Sequence, residues 1–139
     1  MKNLWPESFK ESDFEAPKSI FEQQAKLLPK LTGDLVYAVV DELHQIYARR
    51  EGIANPFAFS FSLRGNFLEN YSFKVLSFSH DITAYPVLMN INSEIATEIG
   101  IQDVKNEIKS HEELEAILQK ILNSNRVSEV IGAIIKMSK

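Results

Sequence analysis

Hydrophobic and polar residues alternate most regularly in the middle of the chain, in residues 57–64. Every second residue there is large and apolar, and the residues between are small or polar: Phe57, Phe59, Phe61 and Leu63 against Ala58, Ser60, Ser62 and Arg64. A period of two places these sets on opposite faces of a β-strand. The segment is therefore predicted to be a strand whose four large apolar residues point into the core.

Two further segments carry strand patterns. Residues 35–47 begin with a run of apolar, largely β-branched residues, which favours a first strand. The Gly-, Asn- and Pro-containing residues 51–56 predict a loop after it. Residues 85–91 alternate like the central segment, and Pro86 places them at a sheet edge or at a strand start.

Residues 71–79 also alternate, but the pattern changes face within the segment. The apolar positions are odd-numbered up to Val75 and even-numbered from Leu76 to Phe78. One extra residue in one strand, a β-bulge, produces such a change of face. Four strands with short connections predict an antiparallel meander.

The C-terminal part has helical spacing. Residues 110–122 begin with Ser-His-Glu-Glu, a capping box, and then place apolar residues at i, i+3, i+4, i+7 and i+8: Leu114, Ile117, Leu118, Ile121 and Leu122. The same spacing recurs in Val127, Val130, Ile131, Ile134 and Ile135. Two such helices with a short link are expected to pack as a hairpin that also covers the sheet, although the same apolar surplus suits a partner-binding or dimerisation face.

The N-terminal part predicts one helix preceded by a tail. Residues 18–30 have helical spacing, with Pro17 before them and Gly33 as a stop signal. Pro29 is expected to kink the helix or end it early, because its ring clashes with the carbonyl four residues back. Residues 1–17 follow neither period and predict a tail whose aromatic side chains dock on the domain.

The remaining segment, residues 93–109, holds a short helix over residues 93–99 that Gly100 ends, and no clear pattern after it. The sequence thus predicts an α+β fold with an N-terminal helix, a four-stranded antiparallel meander sheet and a C-terminal helical hairpin, in the order α-β-β-β-β-α-α. Residues 1–17 are the tail, and residues 18–139 are a single α+β domain.

The net charge of −4 limits the classes of partner. A phosphate backbone or an anionic membrane would meet net repulsion, so we expect neither nucleic acid nor membrane as a partner. The excess acidity lies in mid-chain, because residues 66–109 carry six acids against three lysines. The three phenylalanines of residues 57–61 resemble base-stacking aromatics, but Arg64 is the only cation of that strand, so they predict core packing instead.

The chain has no cysteine, which excludes disulfides, a thiolate nucleophile and Cys-ligated metals. Residues 1–7 turn acidic early and hold no apolar run typical of a leader sequence. The longest clean apolar run, residues 35–40, is too short to span a bilayer. We therefore expect a cytoplasmic protein.

Residues 77–81 are the one cluster that resembles catalytic residues, with hydroxyl, imidazole and carboxylate groups side by side. In a strand, however, Ser79 and His80 point to opposite faces, which favours a strand-end turn in which Asp81 bonds its own backbone. The three histidines are scattered, and no two of them stand at the spacing of a zinc site: His44, His80 and His111. No catalytic, cofactor-binding or metal-binding residue is predicted.

The order of several short sequences along the chain carries a resemblance. They are Glu22–Leu28 before Leu35–Val40, then Tyr71–Phe73, His80–Ile82, Tyr85–Val87, and Ser124 leading into Val130–Ile131. This order resembles that of a family of small uncharacterised bacterial α+β proteins and covers about residues 20–137. The resemblance implies a shared fold and brings no function or site residues with it.

A core with no chemical constellation, together with mid-chain acidity, indicates a binding surface rather than an active site. The leading hypothesis is a non-enzymatic small bacterial protein that binds another protein, such as an immunity or inhibitor protein, a chaperone or an accessory factor, with a homodimer as a further possibility. The alternative is a small enzyme or ligand-binding domain with a pocket between sheet and helices. Its candidate residues are His80, Asp81 and Tyr85.

Overall fold

The computed structural model describes residues 1–101 and 105–139. Within them the chain forms five helices and five strands: α1 (Pro17–Leu31), β1 (Val36–Glu42), α2 (Gln45–Arg50), β2 (Phe57–Gly65), β3 (Leu68–His80), β4 (Val87–Ile91), α3 (Ser93–Glu98), β5 (Lys105–Ile108), α4 (His111–Leu122) and α5 (Asn125–Met137). The predicted α+β fold is confirmed. The sheet gains a fifth strand, β5, whose four residues are too few to show a period.

The strands form one antiparallel sheet in the order β1-β2-β3-β4-β5, which is the predicted meander. Phe59 of β2 lies opposite Phe78 of β3. The register shifts between Phe61 and Ser62, because Val75 stands as an extra residue between their partners. This is the predicted bulge, and it explains the change of face along β3.

Helices α1, α3, α4 and α5 cover one face of the sheet and enclose the core there. Phe21 of α1 packs on Phe61 and Phe78, with ring centroids 5.4 Å and 4.1 Å away. The buried residues of the two C-terminal helices join the same cluster: Leu114, Leu118, Ile121, Val127, Val130 and Ile134. The hairpin therefore packs on the sheet, as its apolar surplus predicts.

Phe57 departs from the predicted core face of β2. It is 37% exposed, whereas Phe59, Phe61 and Leu63 are buried. Phe57 is the first residue of β2, where its ring stacks on that of His80 at 5.4 Å. The alternation thus predicts the face correctly, but the strand end lies outside the cover of the helices.

α1 continues to Leu31, so the prediction that Pro29 ends it early is wrong. Pro29 lies in the last turn of α1, so the helix loses one hydrogen bond, to the Ala25 carbonyl, and continues for only two residues. Thr32 satisfies carbonyls of the last turn, because its hydroxyl donates to the Leu28 carbonyl at 3.1 Å and its N–H to the Pro29 carbonyl at 3.2 Å. Gly33, with φ of +58°, ends the helix as predicted.

The first strand is shorter than predicted. β1 ends at Glu42, and the part up to Tyr47 enters the short helix α2 instead. The ring nitrogen Nδ1 of His44 caps this helix by accepting from the Ile46 N–H at 3.4 Å. Ala48 is its buried residue, so α2 carries no apolar period that a sequence reading would detect.

Residues 1–16, called the arm below, precede α1 and are all exposed. Trp5 and Phe9 are each 75% exposed and contact one another, with ring centroids 5.9 Å apart. The expectation that the aromatic side chains of the tail dock on the domain is therefore wrong for this pair. Pro17 belongs to α1 and is buried.

Candidate functional site

A solvent-open groove lies between α1 and α5 and reaches the helix-covered face of the sheet. Its volume is about 300 Å³. Three leucines of α1 face two residues of α5 across it: Leu27, Leu28 and Leu31 against Val127 and Ile131. The other lining residues are Ala38, Phe61, Leu63, Leu122, Gln24 and Asn123. None of these side chains is ionisable, and we call the site the apolar groove.

The rim of the apolar groove exposes large apolar surface. Leu27 is 48% exposed and Leu31 is 80% exposed, and the two lie four residues apart on one face of α1. The small side chain of Ala38 leaves space on the floor between the helices. Covering these side chains would be favourable, since burial of apolar surface gains roughly 25 cal/mol per Å².

A polar cavity of about 360 Å³ continues from the apolar groove toward the start of α4. The two share three lining residues, Gln24, Leu122 and Asn123. One channel therefore runs along α1, apolar at the C-terminal end of that helix and polar at its N-terminal end.

His111 lies in the polar cavity between two carboxylates. Its Nε2 is 2.5 Å from Glu115 Oε1, and its Nδ1 is 4.0 Å from Glu15 Oε2. Gln23 donates from Nε2 to the other oxygen of Glu15 at 2.7 Å. Glu15, near the end of the arm, therefore bonds to α1 through Gln23 and faces His111 of α4 at the limit of ion-pair distance.

Tyr85, one of the three sequence candidates, lies near this acidic end. Burial raises the pKa of its hydroxyl, and the carboxylates of Glu15, Glu112 and Glu115 raise it further. The hydroxyl oxygen is buried without a hydrogen-bond partner among the described residues. Its surroundings therefore keep the phenol neutral.

The other two candidates, His80 and Asp81, form a turn away from both cavities. His80 stacks on Phe57, and its Nδ1 lies 2.7 Å from the backbone carbonyl of Asp81. Asp81 accepts from the Ile82 N–H at 2.7 Å and so bonds its own backbone. Among the described residues, neither side chain forms a hydrogen bond with Tyr85.

Several mid-chain acids have structural roles. Glu98 accepts from the backbone N–H groups of Asn125 and Arg126, at 2.5 Å and 3.0 Å, and so caps α5. Glu94 pairs with the Arg126 guanidinium at 3.1 Å. Glu113, which lies beyond the mid-chain segment at the start of α4, accepts from the backbone N–H of Lys109 at 2.9 Å. Part of the mid-chain acidity is therefore engaged in hydrogen bonds and ion pairs within the fold. Asp103 lies outside the described residues.

The opposite face of the sheet is polar and is partly covered by the loop before β2. Ser77 donates to Glu51 at 3.3 Å, and Asn55 donates to Ser79 at 3.1 Å. Glu51 also pairs with Lys74. These contacts hold the loop on the sheet and engage the hydroxyls that the sequence places beside His80.

The sequence reading missed both cavities. Leu27 and Leu31 lie on the apolar side of a predicted helix, but their exposure depends on where α5 lies. The sequence patterns give His111 only as an isolated histidine in a helix cap. Its spacing of four to Glu115 is a helical pair that a charge-pattern reading detects.

No helix within the described ranges is long and apolar enough to cross a membrane. Comparisons of the chain with protein-family profiles, with curated proteins and with solved structures returned no match.

Proposed function

We propose that this chain is a non-enzymatic binding protein whose apolar groove receives an apolar segment of another protein. The observation that carries the proposal is the exposed pair Leu27 and Leu31 on the rim of a groove lined by no ionisable side chain. Acid–base or nucleophilic chemistry needs a titratable or nucleophilic group at the reacting atoms. An apolar groove offers burial of surface instead.

The shape of the groove indicates how a segment binds. Two helices form its walls and the sheet its floor, so side chains of the partner enter between α1 and α5 while its backbone stays above the rim. A few buried anchors carry most of the affinity in such interfaces. Because the lining is uncharged, we expect binding to depend weakly on salt concentration.

The proposal retains the cytoplasmic location and the bacterial protein partner expected from the sequence. It changes the expected chemistry of that partner. Glu94 and Glu98 are engaged with the start of α5, which weakens the support for a basic partner. The groove favours a segment with apolar side chains.

Co-purification from the source cell tests the proposal with two matched variants. Leu31→Asp charges the rim, and Phe67→Asp charges a 66% exposed residue in the turn between β2 and β3. We expect wild type and Phe67→Asp to retain a protein at defined stoichiometry, and Leu31→Asp to bind that purified protein at least about tenfold more weakly. Equal binding by all three proteins would contradict the proposal.

The second candidate function is that of a small enzyme or ligand-binding domain, and it rests on the polar cavity. His111 between Glu15 and Glu115 is a titratable group beside space for a small polar molecule. Thermal-shift screening of small anions and metabolites tests this candidate. A ligand that stabilises wild type and Leu31→Asp but not His111→Gln would favour it over the groove function.

A further inference from the structure

We propose that the arm of a second copy occupies the apolar groove, so that Trp5 and Phe9 of each chain insert into the groove of the other in a two-fold dimer. This inference rests on the proposed function in that it uses the same groove, and it names one occupant. The inference rests on two features of the same molecule, an exposed pair of aromatic side chains and an open apolar groove of similar size.

The inserting element is the ring pair of the arm. Trp5 and Phe9 contact one another edge to face, with an interplanar angle of 64°. The backbone N–H of Trp5 donates to the side-chain oxygen of Asn3 at 3.1 Å, and Pro6 follows. The local backbone is therefore restricted. Two rings held together while 75% exposed form a preassembled apolar anchor.

The groove has the volume and chemistry for such an anchor. A cavity of roughly 150 Å³ accommodates a benzene ring. The apolar groove, at about 300 Å³, therefore has room for two rings. Its two amide side chains, Gln24 and Asn123, offer oxygen acceptors for the indole N–H, which needs a partner when buried.

Charge also matches the arm to the helix that forms one wall. Residues 7–13 carry three acids and one lysine, whereas α1 carries three lysines and one acid. Lys26 and Lys30 form no ion pair with other described residues. An acidic segment following the ring pair would therefore meet a wall helix of opposite net charge, whose lysines lie outside the groove lining.

The contacts of the arm favour a second copy over its own groove. Glu15 is held by Gln23 and faces His111 at the polar end of the channel. Ala16 is extended, with ψ of 135°, as the residue before a proline prefers. In this arrangement Trp5 and Phe9 lie exposed, outside the groove of their own chain.

The buried aromatic surface suits a concentration-dependent dimer. An aromatic side chain buries about 150–250 Å². Two arms place four aromatic side chains at the interface, roughly 600–1,000 Å² of side-chain surface in total, which is typical of weak association. A two-fold exchange uses both arms and both grooves, so an outside protein reaches a groove only by displacing an arm.

Sedimentation of the full chain across concentrations, together with the fluorescence of its single tryptophan, tests the inference. We expect a concentration-dependent dimer in which the Trp5 emission is blue-shifted, as for a buried indole. Phe9→Ala and Leu31→Asp should each weaken dimerisation at least about tenfold and return the emission to that of an exposed indole. Phe67→Ala, which removes an exposed ring elsewhere, should change neither readout.

A mixing experiment separates exchange between chains from insertion within one chain. The double variant Trp5→Ala and Phe9→Ala keeps an intact groove, and Leu31→Asp keeps an intact arm. Each alone should be monomeric, and an equimolar mixture should form a heterodimer with one inserted arm. Recovery of dimer on mixing supports the inference, and a mixture that stays monomeric overturns it.

Other outcomes also decide the question. A wild type that is monomeric at all concentrations, with or without a blue-shifted Trp5, overturns the inference, as does a dimer that survives the double arm variant. If wild type is monomeric while Leu31→Asp still loses the co-purified protein, only the arm inference fails. If the arm dimer forms but Leu31→Asp retains the same outside partner as wild type, the proposed function fails instead.

Discussion

Phe21 of α1 stacks on Phe78 of β3, with ring centroids 4.1 Å apart and ring planes within 9° of parallel. Both side chains are fully buried. The contact joins the first helix to the centre of the sheet, and Phe61 packs against the same Phe21 ring at 5.4 Å. This group fixes one wall of the apolar groove relative to its floor.

Replacing Phe78 by Ala should lower the free energy of unfolding by about 3–5 kcal/mol, because it leaves a cavity under α1. Urea unfolding followed by circular dichroism measures the change. Phe57→Ala is the matched control, since that ring is 37% exposed at the strand end, and it should cost less than half as much. Equal costs would contradict the burial of the Phe78 ring in the core.

Truncation after Asn123 removes α5 and should unfold the domain or drive association. Val127, Val130 and Ile134 belong to the core, so their loss exposes the sheet face beneath them. Size-exclusion chromatography and thermal unfolding measure the outcome. A truncated chain that stays monomeric with a nearly unchanged melting temperature would show that α5 serves binding and not folding.

Glu98→Gln should lower the free energy of unfolding by about 0.5–2 kcal/mol, because a carboxylate bonding two N–H groups at a helix start stabilises both the cap and the helix dipole. Those N–H groups belong to Asn125 and Arg126. Glu129→Gln is the control, since Glu129 meets only the exposed side of Arg126. We expect it to cost under about 0.5 kcal/mol, and a larger cost there than at Glu98 would refute the capping role.

Tyr85→Phe should change the dependence of stability on pH. The pKa of Tyr85 is raised above 10.0, so its phenol ionises at lower pH in the unfolded chain than in the folded one. The resulting stability is complete below pH 10 and is lost as pH rises through the folded pKa. The variant should lose less stability between neutral pH and about pH 11 than wild type does, by denaturant unfolding at each pH.

At neutral pH the same variant should be within about 1 kcal/mol of wild type, since the hydroxyl has no hydrogen-bond partner among the described residues. A loss of several kcal/mol there would mean that the hydroxyl is bonded. An alkaline loss identical to that of wild type would mean that another group causes it.

The sequence predicts the elements that have a long hydrophobic period and bury one face. Phe59, Phe61 and Leu63 alternate on β2, and the extra residue Val75 explains the change of face on β3. The helix α4 is predicted through its capping residue Ser110, which accepts from Glu113 at 3.2 Å. In each case the residues that set the pattern lie within the element itself or directly beside it.

The parts that the sequence does not predict depend on short elements or on distant packing. α2 and β5 bury too few residues to set a period. The apolar groove joins Leu31 to Ile131, and the polar cavity joins Glu15 to His111, so neither follows from local spacing. His80 and Asp81 are adjacent in sequence, yet their contacts serve a turn.

The wall that α1 provides is held at both ends, and this bears on how fast an occupant arrives and leaves. Phe21 fixes its first half in the core, and the Thr32 hydroxyl, bonded to the Leu28 carbonyl and to the Val36 N–H at 3.1 Å each, ties its last turn to the start of β1. A wall fixed in this way does not close over what it binds. A binding segment should therefore associate at the ordinary rate of rigid docking. Substitutions on the rim should act mainly by raising the dissociation rate of the bound segment.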